Sequence, residues 1–259
     1  MGTETTEWPD VSVVYEEPWD EVPAVTHAAW SRAFPWLLQG TTTRGSEAGD
    51  GQFDLRLFGG AVEAVGARER WRLFRRRLGT RSVVHAKQVH GATVRRHRQT
   101  GPGLILPPDC DGHVTKVPGV VLAVSVADCV PVSLVEPEER EVGLLHAGWR
   151  GTAAGVLERG IRAFPEERRG GLYVHMGPSI CGACYEVGGE VFEALGLPVP
   201  PGPEPVDLRL VLARRAVTAG IDAGKISVSG HCTRCGDGRF FSHRGGDTGR
   251  QVAFLGIRQ

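Results

Sequence analysis

The sequence predicts an α+β fold in which mixed β-sheets carry helices on their outer faces. Short apolar segments typical of strands outnumber segments with helical periodicity. Several of these segments are separated only by turn residues, which favours hairpins over a doubly wound parallel sheet. The 259 residues are 41% hydrophobic and 23% charged, so the chain can bury a full-sized core. No internal repeat or low-complexity linker is evident, and we expect residues 1–259 to form one domain.

The sequence before residue 61 predicts few regular elements, and the first long helix follows it. Residues 1–24 are acidic and rich in proline and tryptophan, which indicates an irregular N-terminal arm or a weak first strand. A strand or turn over 30–44 then leads into a glycine-rich loop, 45–51. The apolar spacing over 61–78 predicts a helix whose many arginines form a solvated face.

The middle of the chain predicts a series of strands joined by short turns. A strand over 82–91 ends at His90, and 92–98 continues as extended chain after it, before a loop at 101–108. The nearly continuous apolar segment 120–126 is typical of a buried strand. Asp128 and Cys129 interrupt this strand before it resumes over 131–136.

Residues 137–140 predict a hairpin turn between two apolar strands. In that register Glu136 faces Glu141, and Pro131 faces His146. Cys129 then lies beside Gly148, about one pair from His146, at the open end of the hairpin.

The remainder predicts three helices and three strands. Thr152 and Asp207 are suitable N-caps for two of the helices. The helices are expected at 152–164, 185–195 and 207–219, and the strands at 171–176, 225–229 and 251–257.

A thiol and an imidazole at the open end of a hairpin suit two kinds of chemistry. Cys129 and His146 could ligate a metal, or they could form a nucleophile–base pair. His90, which also precedes a glycine, could supply a third ligand. Two His and one Cys with a fourth position left to water is the composition of a catalytic zinc site.

The overall composition disfavours several classes of function. Lys+Arg and Asp+Glu both number 30, so no global charge favours nucleic acid or an anionic membrane. No segment predicts a transmembrane helix, and the acidic N-terminus is unlike a signal peptide, which leads us to expect a cytoplasmic location. Six cysteines in a chain of this length favour metal ligation or catalysis over a disulfide scaffold.

Five motifs occur in the order found in one known family, and together they span about residues 41–257. They are Gln88-Val-His-Gly91, Ala127-Asp-Cys129 with Pro131, His146-Ala-Gly-Trp-Arg-Gly151, Gly177-Pro178 with Cys184-Tyr-Glu-Val187, and Cys232-Thr233 with Phe240-Phe-Ser-His-Arg244. The chain thereby resembles the family once called multicopper polyphenol oxidase (laccase-like), now viewed as purine nucleoside phosphorylases and including the peptidoglycan editing factors.

The resemblance implies a four-layer α/β/β/α sandwich and a zinc ion on His90, Cys129 and His146. It also implies phosphorolysis of adenosine, inosine, guanosine and methylthioadenosine, with adenosine deamination as a side activity. The expected partners are therefore purine nucleosides and phosphate, and the expected assembly is a monomer or a homodimer.

Further residues suit this chemistry. Phosphorolysis needs cationic groups for phosphate, and Arg150 is our main candidate, with Arg44 and Arg244 as weaker ones. Asp128 is a candidate for proton handling or for supporting a metal ligand. Trp149 could stack on a base or only contribute to packing.

The other cysteines and histidines leave alternatives open. Cys181, Cys184, Cys232 and Cys235 form two C-x-x-C pairs, which could bind a second zinc, form redox dithiols or remain free thiols. The family pattern explains Cys184 and Cys232 only. His113 and His243 are further candidates near the site. The chain also departs from the family at Phe53-Asp-Leu55, at Ala183, and at Gly245 after Arg244.

Three other functions compete with the phosphorylase. Copper has a higher intrinsic affinity than zinc for such ligands, so a copper-dependent phenol oxidase is one alternative. Oxidase chemistry would need several coppers, however, and more clustered histidines than the nine present can supply. A hydrolase using Cys129 and His146 is the second alternative. The third is a non-catalytic, zinc-stabilised binding protein, which an open fourth metal position would disfavour.

Overall fold

A computed structural model describes residues 8–45, 53–58 and 64–259 of the chain. The strands in these ranges are β1 Ser12–Val14, β2 Glu17–Trp19, β3 Ala24–Thr26, β4 Leu37–Thr42, β5 Ser82–His85, β6 Val94–His97, β7 Gly103–Ile105, β8 Gly112–Thr115, β9 Val120–Val126, β10 Val130–Glu136, β11 Glu141–Ala147, β12 Tyr173–Met176, β13 Glu186–Val187, β14 Glu204–Pro205, β15 Ile226–Ser229 and β16 Gln251–Ile257. The helices are α1 Ala28–Ala33, α2 Ala64–Arg77, α3 Trp149–Ala153, α4 Val156–Arg162, α5 Glu166–Arg169, α6 Gly189–Leu195 and α7 Leu208–Thr218.

Two seven-stranded mixed sheets form the centre of the molecule. Sheet A has the strand order β1-β15-β12-β10-β11-β8-β6, and sheet B has the order β2-β3-β4-β16-β9-β5-β7. Both sheets combine parallel and antiparallel pairs; for example, β10 and β11 are antiparallel whereas β12 and β15 are parallel. Both sheets are therefore mixed, as the sequence predicts.

Three apolar cores separate four layers of structure. The first core lies between sheet A and helices α4, α6 and α7, the second lies between the two sheets, and the third lies between sheet B and α2. The layers are thus helices, sheet A, sheet B and a helix. This arrangement confirms the predicted α+β, four-layer α/β/β/α sandwich.

The two central strands are apolar on both faces because each face meets a different core. In β9, Leu122 and Val124 face the core between the sheets, whereas Val121 faces α2. In β11, Leu144 faces the core between the sheets and Leu145 faces the helices of the first core. A strand covered on both faces loses the polar–apolar alternation of a half-exposed strand, which explains the continuous apolar segments in the sequence.

The predicted hairpin register is confirmed. Pro131 pairs with His146, and Glu136 pairs with Glu141 across β10 and β11. Residues 137–140 form the turn, with Arg140 at a φ of 52°. Because side chains alternate between the two faces of a sheet, this register sets the face on which each residue of β11 lies, and it places His146 near the open end where Cys129 follows β9.

The N-terminal segment is not irregular throughout. Within residues 8–24, β1 pairs with β15 at the edge of sheet A, and β2 pairs with β3 in sheet B. Glu16, between them, is buried and accepts hydrogen bonds from His175 Nε2 (2.8 Å) and Ser229 Oγ (2.7 Å). Its pKa is held below the ordinary value because, although burial opposes ionisation, these donors stabilise the carboxylate. The segment is thereby attached to both sheets, while one domain for 1–259 stays a prediction.

The helix predicted from an N-cap at Thr152 is wrong in its bounds. Instead, α3 begins at Trp149 after Gly148, and α4 begins at Val156 after Gly155, whose φ is 82°. Gly155 has the left-handed conformation that ends one helix and lets the next start in a new direction. Thr152 is buried inside α3, and its hydroxyl has no hydrogen-bond partner among the described residues.

Other differences from the sequence prediction are local. The predicted strand over 82–91 ends at His85, so His90 lies in the following loop. The predicted loop 101–108 contains β7. Residues 185–195 divide into β13 and α6, separated by Gly188. The N-cap role of Asp207 is confirmed, since its carboxylate accepts from the N–H of Arg209.

Two predictions fall on residues outside the described ranges. The glycine-rich loop 45–51 lies outside them from residue 46 onward, and the predicted helix over 61–78 is described only from Ala64. Within the described part of the predicted helix, Trp71, Phe74 and Leu78 are buried, as the apolar spacing predicts, and Leu78 directly follows α2. No helix in the described residues is both long and apolar enough to cross a bilayer.

We expect the protein to lose stability in mild acid through His85. Its ring is 1% exposed and stacks on Trp71, and burial lowers its pKa to about 4 from 6.5. The unfolded chain therefore binds more protons, and the free energy of unfolding falls as pH drops from 6.5 to about 4, by at most about 1.4 kcal/mol per pH unit. Urea denaturation across this range should show a shallower decline for His85→Gln. An unchanged slope, matching that of the exposed-site control His243→Gln, would contradict this assignment.

Candidate metal centre

The candidate metal centre lies where the chain crosses from sheet B to sheet A. The loop between β5 and β6 makes one crossing and carries His90. The segment between β9 and β10 makes the other and carries Cys129. His146 is near the end of β11 in sheet A, beside the start of β10. Two crossings and one strand end therefore supply the three predicted ligands.

The structure brings His90, Cys129 and His146 together. One ligand atom of each lies within 4.8 Å of the others. The Cys129 Sγ is 4.0 Å from His90 Nε2, and the two imidazole rings are 4.9 Å apart between centroids. Zinc bonds of about 2.3 Å to sulfur and 2.0–2.1 Å to nitrogen place tetrahedral S and N ligands about 3.6 Å apart. Cys129 Sγ and His90 Nε2 thus need to approach by only a few tenths of an ångström, and the chemistry of the donor set fits zinc.

Asp111 is a functional residue that sequence reasoning missed. Its carboxylate is fully buried and accepts a hydrogen bond from His146 Nδ1 at 2.9 Å. It also accepts the backbone N–H groups of Val89, His90 and Gly91 at 2.8–3.2 Å. Burial disfavours the charge, but these four donors keep the pKa of Asp111 below its ordinary value. One carboxylate therefore positions two of the three ligands.

The Asp111 contact determines which nitrogen of His146 can bind a metal. Because Nδ1 is engaged by the carboxylate, Nε2 is left for the ligand cluster. Metal-binding histidines commonly carry such a carboxylate on the second ring nitrogen, which orients the ring and raises its basicity. The only hint in the sequence was that Asp111 lies two residues before His113, which the sequence analysis named as a candidate near the site.

His113 itself is not part of the cluster. Its buried ring lies 3.0 Å from the ring of His97, nitrogen to nitrogen, and 3.8 Å from Cys110 Sγ. It forms no described group of three metal-binding side chains. His243 is exposed and also lies outside the described groups.

Two glycines of the His146–Gly151 motif are required by close packing at the centre. A Cβ on Gly148 would lie 3.0 Å from Cys129 Sγ and 3.1 Å from the His90 ring. A Cβ on Gly151 would lie 3.0 Å from the carbonyl oxygen of Gly91. These distances are shorter than ordinary contacts, so side chains here would displace the ligands. The glycines let the β11–α3 turn approach both crossings.

The backbone is strained at both crossings. His90 has a φ of 58° and Asp128 a φ of 90°, which are uncommon for residues other than glycine. Such conformations cost about 1–3 kcal/mol each and persist where surrounding contacts enforce them. At His90 those contacts come from Asp111. At Asp128 they come from Thr233 Oγ1, which donates to Oδ1 at 2.6 Å, and from the Arg244 N–H, which donates to Oδ2 at 2.7 Å.

The Cys129 thiol and the His146 imidazole shift each other's pKa. Burial alone would raise the pKa of Cys129, but the neighbouring His146 and His90 rings lower it to about 6. Burial alone would lower the pKa of His146, but Cys129 and Asp111 raise it to about 9. Without a metal the pair is therefore a thiolate beside an imidazolium. A thiolate is the form that ligates metals or attacks electrophiles.

The centre opens to solvent on the His90 side. His90 is exposed and Cys129 half-buried, whereas His146 is 3% exposed. Three protein ligands with one accessible side leave room for a fourth ligand from solvent or substrate.

Arg150 and Trp149 lie directly after the centre, at the start of α3. The Arg150 guanidinium is exposed and sits 4.4 Å above the Trp149 ring. Trp149 is half-buried against the first apolar core. Glu158, a possible ion-pair partner for Arg150, pairs instead with Arg215 at 3.5 Å.

Arg244 and Arg44 differ in whether an acidic side chain of the protein neutralises their charge. The Arg244 guanidinium lies 5.1 Å from the Tyr185 ring centre and donates to the carbonyl of Glu186 at 3.1 Å. Arg44 forms an ion pair with Asp247 and covers the ring of Phe241 at 4.7 Å. The charge of Arg44 is therefore largely satisfied within the protein.

Like Asp111, Tyr185 was not predicted as a site residue, and the sequence analysis named it only as part of a motif. Burial and the negative charge of Cys129 raise its pKa to about 12, while the charges of Arg244 and Arg150 oppose this. Its hydroxyl therefore stays protonated among these groups. Tyr185 belongs to the Cys184-Tyr-Glu-Val187 motif, and that signal could have identified it.

A protein-family comparison agrees with this arrangement. Residues 40–258 match the model of a family described as multi-copper polyphenol oxidoreductase laccase. The chain belongs to this family. The match covers most strands of both sheets and all three candidate ligands, and it confirms the resemblance drawn from the motifs. Membership in this family indicates the fold, whereas the metal and the reaction depend on the side chains of the site.

Relatives in the laccase family carry names from purine chemistry. The chain is 35% identical over 198 residues to purine nucleoside phosphorylase YlmD of Geobacillus stearothermophilus, covering 68% of this chain and 72% of that protein. It is 39% identical over 164 residues to adenosine deaminase RL5 of an unknown prokaryotic organism, covering 57% and 61%. The crystal structure of the Geobacillus YlmD superposes with a TM-score of 0.82 at 29% identity, covering 94% of this chain and 99% of that one.

Asp111→Asn should lower zinc affinity by about ten- to a hundredfold. The new amide nitrogen would face backbone N–H donors, and the negative charge that supports His146 would be lost. Chelator-competition titration of purified protein measures this directly, with Asp109→Asn, at an exposed neighbouring position, as the matched control. Unchanged affinity together with reduced thermal stability would mean that Asp111 only braces the loop.

Proposed function

We propose that this protein is a zinc-dependent purine nucleoside phosphorylase with adenosine deaminase side activity. Its substrates would be phosphate and adenosine, inosine, guanosine or methylthioadenosine. The observation that carries the proposal is the open His90–Cys129–His146 set, together with Arg150 and Arg244, whose charges act on the same Tyr185 as that of Cys129. The names of the two relatives support the substrate class.

The donor set favours zinc over copper oxidase chemistry. Two imidazoles and one thiolate, with a fourth position accessible, match catalytic zinc. The same donors would also accept copper. Among the described residues, however, only one group of three or more metal-binding side chains contains histidine, and it holds two. An oxidase that uses several coppers would need more histidines gathered in one place.

When bound, zinc would supply Lewis-acid activation of water for deamination at purine C6. The protein's own residues do the remaining work. Asp111 holds the His146 ring and the His90 loop in place. Both oxygens of Asp128 accept hydrogen bonds, which favours positioning of Cys129 over proton transfer as the role of Asp128.

Phosphate would be held by Arg150, with Arg244 as a second cation. Phosphorolysis proceeds through an oxocarbenium-like ribose, so an anion must be kept close to the sugar. A guanidinium can form hydrogen bonds to two phosphate oxygens at once. The Arg150 side chain is exposed, and its guanidinium forms no ion pair among the described residues, since Glu158 pairs with Arg215. Because α3 has only five residues, the proposal rests on the guanidinium rather than on the helix terminus.

Arg44 and Trp149, the weaker candidates for binding phosphate or a base, suit structural roles better. The ion pair of Arg44 with Asp247 and its place over Phe241 favour bracing of the 240–247 loop. The Trp149 ring packs against the apolar core and carries Arg150 on one face, which leaves little of it for a base. We therefore propose Trp149 as a platform for Arg150.

Adenosine incubated with the zinc-loaded protein should release adenine and ribose 1-phosphate only when phosphate is present. Chromatography of the products with and without millimolar phosphate measures this. Inosine formed without phosphate would reveal the deaminase activity. If ribose 1-phosphate never forms, the protein is not a phosphorylase, and inosine alone would define it as a deaminase.

Arg150→Lys should reduce phosphorolysis about a hundredfold, equivalent to about 3 kcal/mol of transition-state stabilisation. Lysine keeps the charge but loses the two-point contact with phosphate. Zinc content and phosphate-independent inosine formation should change little. Arg159→Lys, at an exposed position on α4, is the matched control. A parallel loss of both activities and of thermal stability would assign Arg150 to bracing alone.

One observation favours a second function. Cys129, His146 and Asp111 form a thiol–imidazole–carboxylate series, the arrangement of a cysteine hydrolase. In that case the activity would survive chelation and disappear on alkylation of Cys129. The zinc enzyme predicts the opposite: chelation abolishes activity, and bound zinc protects Cys129 from iodoacetamide.

A further inference from the structure

A second cluster of metal-binding side chains lies outside the centre already described. Cys181 and Cys184 come from one loop, and Cys232 and Cys235 come from another. Their four sulfur atoms all lie within 4.8 Å of one another. The sequence left open whether these two C-x-x-C pairs meet. The structure brings them together.

The distance between two of the sulfurs matches an edge of a tetrahedral zinc–thiolate site. The Sγ atoms of Cys181 and Cys235 are 3.8 Å apart. Four thiolates at the usual zinc–sulfur distance of about 2.3 Å have edges of about 3.8 Å. A disulfide would instead need about 2.05 Å between two of these sulfurs.

Backbone N–H groups already point at one of the sulfurs. Cys232 Sγ accepts from the N–H of Cys181 at 3.3 Å, and from those of Arg234 and Cys235 at 3.4 Å each. Two of the donors follow Cys232 by two and three residues, because the chain folds back around the sulfur. Such donors stabilise the negative charge of a thiolate that ligates a metal.

The surrounding fold builds this turn and joins it to the first loop. Ser179 forms a parallel β-bridge with Cys232, and its carbonyl accepts from the N–H of Thr233 at 3.0 Å. A Cβ on Gly236 would lie 2.5 Å from the carbonyl oxygen of Cys232, so the tight return of the chain requires glycine. The residues 182–184 form a single helical turn that returns Cys184 toward Cys181.

We propose that Cys181, Cys184, Cys232 and Cys235 bind a second zinc ion as four thiolates. Four protein ligands leave no open position, so the role of this ion is structural. On binding, the thiols release their protons to solvent and no electron is transferred. This site is separate from the His90–Cys129–His146 centre and does not depend on the proposed function.

The second ion would brace the two loops that border the first centre. Thr233, next to Cys232, donates to Asp128 beside Cys129. Tyr185, next to Cys184, lies among the charges of Cys129, Arg150 and Arg244. Zinc at the four cysteines therefore joins the loops carrying Thr233 and Tyr185.

Zinc analysis of purified variants tests this proposal. Wild-type protein should retain two zinc ions per chain after desalting. Cys181→Ser/Cys235→Ser and Cys129→Ala should each retain one, and Cys110→Ala, which removes a buried thiol outside both clusters, should retain two. X-ray absorption on zinc-loaded Cys129→Ala should show four sulfurs at about 2.3 Å and no nitrogen ligand. This variant leaves the four cysteines intact, so it tests the site even if the double variant fails to fold.

Two results would overturn the proposal. The first is a wild-type protein with one zinc that Cys129→Ala loses completely. The second is a Cys181–Cys235 disulfide in protein purified without air, detected by mass spectrometry after alkylation of free thiols. Either result would return the four cysteines to a redox or unligated role.

Discussion

The buried carboxylate of Asp111 is the interaction on which the metal centre depends. It satisfies four donors at once, three from the loop carrying His90 and one from the ring of His146. A buried charge is tolerated only when it is fully hydrogen-bonded, and here every bond is to a part of the centre. The same contacts that make burial of Asp111 possible therefore set the distance between two of the candidate ligands, His90 and His146.

The two-sheet architecture explains why the centre forms at this place. A chain that passes from one stacked sheet to the other must turn sharply at the edge of the sandwich, and the turns at His90 and Asp128 both use positive φ angles. Each turn places a ligand at the same edge, and each is held by hydrogen bonds from outside its own loop. The second cysteine cluster reinforces this edge, since Thr233 joins its loop to Asp128.

Much of the fold follows from local patterns in the sequence. The register of β10 and β11 was predictable because a short turn fixes the pairing and side chains alternate with a period of two. The burial along α2 and the start of α7 followed from helical spacing and from Asp207 as an N-cap. The break between α3 and α4 was not predictable in this way, since a glycine is also tolerated inside uninterrupted helices, and packing decides that Gly155 is left-handed here.

The sequence by itself determined the layered α+β architecture, the hairpin that pairs Pro131 with His146, and the three candidate ligands, because these depend on periodicity and on motifs of adjacent residues. Only the tertiary structure decided which polar side chains position the candidate ligands and which cysteines meet. Asp111 is 35 residues from its partner His146, and Cys181 is 54 residues from Cys235. Contacts over such separations are created by the stacking of the two sheets, and no local pattern of hydrophobicity or turn residues encodes which polar side chains will meet there.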